Sequence, residues 1–118
     1  MWGCTGISIP GADGVAIGTG YQNSLDLANA CPMDAQAALY CLNYMVDGYD
    51  DWFLPSKDEL NEMLVHLHQN GFGGFENATY WSSTEISSIS AWAHDFGGGF
   101  SGSNLKGMPN RVRAIRVF

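Results

Sequence analysis

Charge is scarce in this chain of 118 residues: Asp, Glu, Lys and Arg together make up 14%, and only five of those residues are basic. The formal net charge of −7 repels phosphate backbones, anionic membranes and sulfated polysaccharides, so a nucleic-acid partner is not expected. No apolar run is long enough to span a bilayer, which argues against membrane insertion. Residues 1–20 also lack the charged and apolar regions of a signal peptide. There is no Cys-x-x-Cys pair, and no His lies near a Cys in sequence, so nothing suggests zinc. The spacing of a calcium loop is missing around Asp47, Asp50, Asp51 and Asp58, which read as helix-end and turn acids. No metal or other cofactor is expected. Gly97-Gly98-Gly99 leads into no helix and no Gly-Lys-Ser/Thr pattern, so it is not a phosphate loop. Ser82, Ser83 and Thr84 lack the strand–turn–helix context of an activated nucleophile.

What is present is apolar and loop-forming. Hydrophobic residues reach 46% and aromatics 13%, enough for a core, and 15 glycines signal many turns. The length suits one domain over residues 1–118. Of the three cysteines, Cys4, Cys31 and Cys41, at least one has no partner within the chain. One disulfide, which would suit a cell-surface or extracellular location, and three buried thiols are equally compatible with the sequence.

Residues 6–9 and 15–17 read as short strands or extended loops, and a short helix can begin near Ser24 and stop before Pro32. Asp34 to Asp47 reads as the first main helix, with Asp34 as N-cap, Gly48 beyond the end, and Ala38, Cys41, Leu42 and Met45 as its buried stripe. A second runs from Lys57 to about His68. It is announced by a capping box of Ser56 and Glu59 and buries Leu60, Met63, Leu64 and Leu67. From Thr79 onward aromatics and hydroxyls indicate strands at 80–84 and 91–96, then a long Gly/Ser/Asn loop at 97–110, then a terminal strand at 111–118. The fold class is therefore α+β, with two main helices and a small, mostly antiparallel sheet formed largely by the C-terminal half. Trp81, Trp92, Phe96 and Phe118 are candidate scaffold aromatics. His66 and His68 cannot chelate one metal from positions two apart on a helix, and His94 and Asp95 point to opposite sides of a strand. Arg111, Arg113 and Arg116 read as partners for acids such as Glu85 or Asp58.

The run Gly48 to Asn61, together with Ala16 to Gly20, Tyr80 to Glu85, Ala91-Trp92, Phe96 and Arg111 to Arg116, resembles the domain of unknown function 1566 family. That family includes the C-terminal domain of the Legionella collagen-like adhesin. The resemblance covers almost the whole chain and implies a C-type-lectin-like fold. Many members are variable proteins of diversity-generating retroelements, in which adenine-directed mutagenesis rewrites scattered codons in a C-terminal stretch, here about 80–118. Gly99 and Lys106 also match the framework. The intervening positions are Ile86, Ile89, Ser90, Ala93, Asp95, Gly97, Gly98, Phe100, Gly102, Ser103, Asn104, Leu105, Pro109 and Asn110. Every one of these residue types is reachable from an Asn codon by changing adenines alone; Met108 is not.

The resemblance thus implies a non-enzymatic, ligand-binding display domain with those fourteen residues as its recognition surface for a protein or glycan partner. Phe100 and Leu105 are either recognition side chains or plugs that fold the loop onto the core. An invariant, glycan-binding surface adhesin is the alternative. A lectin-fold enzyme of the sulfatase-modifying kind would need a reactive cysteine pair near the C-terminus, whereas every Cys here lies at or before residue 41.

Overall fold

The computed structural model describes residues 1–116; Val117 and Phe118, and with them the scaffold role expected of Phe118, lie outside the described residues. The class is α+β, with three α-helices and a three-stranded antiparallel sheet. The helices are α1 (Gly20–Ala30), α2 (Gln36–Leu42) and α3 (Lys57–His66), the last followed by a 3₁₀ turn at His68–Asn70. The strands are β1 (Thr79–Glu85), β2 (Ser90–Asp95) and β3 (Phe100–Leu105), in that spatial order. No helix among the described residues is long and apolar enough to cross a membrane.

The capping box forms as expected: Ser56 Oγ accepts from the Glu59 amide, and the Glu59 carboxylate accepts from the Ser56 amide at 2.8 Å. That carboxylate also accepts from the amides of Gly18 and Gly20, at 3.2 and 3.1 Å. The start of α1 is therefore capped by a residue on another helix, and this helix is the longest of the three, not the short one expected from Ser24. Ser24 lies inside it, fully buried, with its hydroxyl accepting from the Leu54 amide at 3.0 Å. A Cβ at Gly20 would lie 2.2 Å from Glu59 Oε1, so the close approach requires glycine.

The helix expected over 34–47 is shorter at both ends. Asp34 turns its carboxylate to the Cys4 amide (3.1 Å) and does not cap. At the other end Asp47 and Gly48 both adopt positive φ, and Val46 and Tyr49 exchange two backbone hydrogen bonds across them. Asp-Gly here makes a type I′ turn, not a helix stop. Met45 consequently projects into solvent, outside the stripe assigned to it, and Leu67 is likewise exposed beyond the end of α3.

β1 and β2 form the middle of the molecule. Trp81, Ala91 and Ala93 pack on one side with Trp2, Leu27, Leu54 and Cys41. Tyr80 and Phe96 pack on the other with Leu60, Met63 and Leu64 of α3. Residues 6–9 and 15–17 are turns and loops, not strands. The described part of the terminal segment, 111–116, is not a strand either. It bridges β1 once, parallel at Arg111, and then pairs with Phe53 at Ile115. Cys4 and Cys31 are joined by a disulfide and Cys41 is a free, buried thiol, whose pKa burial pushes up to about 12. Closing a loop of this length stabilises the fold by about 3–4 kcal/mol.

The arginines do not reach the acids assigned to them. Arg111 pairs with Glu76 (2.8 Å), Arg116 with Asp51 (2.7 Å), and Arg113 donates to the carbonyls of Gly73 and Gly74 while covering the Phe75 ring. Glu85 belongs instead to Lys106, whose ammonium is fully buried. It donates to Glu85 Oε2 at 2.8 Å and to the carbonyls of Ile7 and Cys4 at 3.0 and 3.4 Å, and lies 4.7 Å from the Trp2 ring centroid.

Three outcomes are expected. Lys106→Met leaves Glu85 without its counter-charge and is expected to cost about 3 kcal/mol in urea unfolding. Arg111→Ala, at an exposed pair, costs less than about 1 kcal/mol. The third concerns His94, which is buried with Nδ1 unpartnered among the described residues. Burial lowers its pKa from 6.5, Lys57 adds to this, and the Ala93 backbone and Asp58 oppose it. The folded state thus holds the neutral ring. Stability is full above about pH 6.5 and falls as pH drops below it, until the folded-state ring also protonates. Unfolding curves between pH 7 and 5 should show this slope, and His94→Phe should flatten it.

Candidate functional site

The segment expected to be one long loop contains β3. Gly97 to Gly99 make the turn, with Gly99 at φ +80°, and Asp95 holds it by accepting from the Gly97 amide at 2.9 Å. β3 then pairs with β2 over six consecutive positions, from Asp95 opposite Phe100 to Ser90 opposite Leu105, with no bulge. Phe-Ser-Gly-Ser-Asn-Leu carries little strand propensity, which is why the sequence reads as loop. Pairing with a buried neighbour overrides that propensity.

Burial divides the fourteen expected surface residues. Ile86, Ile89, Gly97, Gly98, Phe100, Ser103, Leu105 and Pro109 are exposed, Phe100 most fully at 73%. Asp95, Gly102, Asn104 and Asn110 are half-buried, and Asn110 donates to the Asn104 side chain at 3.3 Å. Ala93 and Ser90 are buried, and the structure removes them from the surface set. Ala93 packs in the core beside Trp81, and Ser90 ties its hydroxyl to Ser87 at 2.8 Å inside the β1–β2 turn. Phe100 and Leu105 are not plugs; neither belongs to a core cluster.

The exposed members do not converge. The pairing puts Ile89 and Leu105 at one end of β3 and Phe100 with Gly97 and Gly98 at the other, about 17 Å away along the strand. They form a strip along the sheet's edge, with Trp92 half-buried behind it under the Lys57 ammonium.

A concave feature lies elsewhere. Tyr40, Tyr44, Trp52, Val112, Arg113 and Ala114 line a cleft of about 290 Å³. Tyr40 and Tyr44 stack with centroids 6.2 Å apart, and Tyr44 meets Trp52 edge-on at 5.3 Å. None of the fourteen residues lines it. The sequence carried its signal, two tyrosines four apart on the helix face opposite Ala38, but a helix expected to continue to residue 47 concealed that they stand at its end. Among the described residues no group of His, Cys, Asp and Glu is placed to hold a metal ion.

The model of one protein family, the Lcl C-terminal domain, matches residues 7–116, and the chain belongs to that family. The family takes its name from the C-terminal domain of the Legionella collagen-like protein. No curated protein and no solved structure matches the chain.

The division between buried and exposed positions is measurable. Phe100→Ala and Leu105→Ser are expected to change unfolding free energy by no more than about 0.5 kcal/mol. Ala93→Asp, which places a carboxylate in the core beside Trp81, should cost about 3 kcal/mol or more. Chemical denaturation of the three variants decides the point.

Proposed function

We propose that this member of the Lcl C-terminal domain family is a ligand-binding display domain of C-type-lectin-like fold, without catalytic activity, that presents the β2–β3 edge to a protein or glycan partner. One observation carries the reading. β2 has the burial of a core strand, whereas β3 is exposed or half-exposed at every residue although its backbone pairs without interruption. Side-chain identity along β3 is thus uncoupled from the stability of the fold. A surface of this kind can change its chemistry freely, which is the property a retroelement-diversified region requires. Three helices around a small sheet with a loop-rich C-terminal half support the lectin-like assignment.

A second reading is favoured by the aromatic cleft. Trp52, Val112, Arg113 and Ala114 lie in the motifs that carry the family resemblance, so an invariant adhesin would bind there and not on β3.

A glycan and protein array separates the two. Exchanging the exposed residues of 97–105 should abolish or redirect binding, and Tyr40→Ser should leave it intact; the reverse outcome assigns recognition to the cleft. Sequencing the gene's neighbourhood tests diversification directly. A reverse transcriptase and a near-copy template repeat are expected, and an invariant 86–110 among close isolates would remove that part of the proposal.

A further inference from the structure

The sheet has two edges, and they are treated differently. The outer edge of β1 is covered: Trp81 donates to Arg111, Ser83 to Pro55 and Glu85 to Ala12, at 2.7–2.8 Å. The outer edge of β3 lacks such cover except at its last residue, where the Leu105 carbonyl accepts from the Met108 amide at 3.0 Å. The Lys106 amide donates inward to the Ile89 carbonyl at 2.9 Å. In an antiparallel ladder the inward and outward groups alternate, so the amides of Ser101, Ser103 and Leu105 point away from β2. None of the three has a hydrogen-bond acceptor among the described residues.

Open edges are ordinarily blunted by charge, proline or a bulge, because they invite other strands. Residues 97–105 contain no charged residue and no proline, and the register is unbroken. A Cβ on Gly102, at the strand's centre, would meet nothing within 4 Å. From Phe100 to Asn104 the edge is neutral and, among the described residues, without backbone cover.

We infer that the ligand of this surface is, in part, an extended polypeptide segment that adds to β3 as a fourth strand. The inference rests on β3 being the recognition edge and names the class of partner it takes. Backbone pairing supplies an affinity that does not depend on side chains, while the residues flanking it select by alternation: Phe100 and Asn104 on one face, Ser101, Ser103 and Leu105 on the other. This division suits a surface whose side chains change, since the constant part of the binding energy is carried by main chain. Charge favours a segment with basic ends, because the domain is at −7. The same charge disfavours a second copy of this chain, which would bring an equal negative charge and a strand of low propensity.

The probe is a short synthetic peptide of alternating Val and Thr with Lys at both ends, tested beside a version N-methylated at every Val and Thr, so that neither edge can pair. Amide hydrogen exchange by NMR should show Ser101, Ser103 and Leu105 slowed about tenfold or more by the first peptide and untouched by the second. Ser103→Pro, which deletes the central outward donor, should weaken binding about tenfold, and Ser103→Ala should not. Equal protection by the N-methylated peptide, or none at peptide saturation, overturns the inference. So does concentration-dependent protection without peptide, which would assign the edge to a second copy. If array binding follows the 97–105 exchange while the peptide leaves these amides unprotected, the recognition surface stands and only the strand-addition mode falls.

Discussion

The buried ammonium of Lys106 holds the outer strand to the rest of the molecule. It follows Leu105 directly, so the point where the exposed strip ends is the point where the chain is driven into the interior. There it meets the Glu85 carboxylate, which also accepts from the Ile9 amide at 3.0 Å, and the carbonyls of the N-terminal segment. The Trp2 amide in turn donates to the Lys106 carbonyl. A charge so thoroughly desolvated is tolerated only because a counter-charge and hydrogen bonds surround it. The arrangement costs more than an apolar contact would, but it has one geometry, and it sets β3 against β2 in one register.

With that anchor in place, β3 needs nothing from its own side chains. The Cys4–Cys31 bridge secures the N-terminal segment that Lys106 grips, and the aromatic cluster of Phe75, Tyr80 and Phe96 secures the opposite face of the sheet. Rigid elements thus flank a strip with no structural duty. The aromatic cleft is built the opposite way, from residues that also brace the terminal segment against Phe53 and Trp52. Substitution at one surface is cheap, and at the other it disturbs the frame.

How legible this was depended on the range of the interactions. The capping box at Ser56 and Glu59 is local and was read correctly, as were β1 and β2 from their aromatics. α1 was underestimated because its buried face, Gly20, Asn23, Ser24 and Leu27, is mostly polar and so shows no hydrophobic period. β3 is hidden for a related reason: with Ser, Gly and Asn between Phe100 and Leu105, it has no apolar alternation to detect. Asp47-Gly48 is equally at home after a helix and in a hairpin turn, and only the Val46–Tyr49 pairing decides between them. The fourteen candidate surface positions come from the family resemblance, as the residues between its framework positions. The two lost, Ser90 and Ala93, are small residues whose burial no local pattern announces.

The shared carboxylate of Glu59 makes two helices interdependent. It closes the first turn of α3 and the first turn of α1 together, although Gly20 and Glu59 are 39 residues apart. α1 has no side-chain cap of its own, so its first turn depends on a carboxylate carried by α3. A helix as short as α3 gains little from its capping box alone, and the two helices stabilise one another through the one side chain they share.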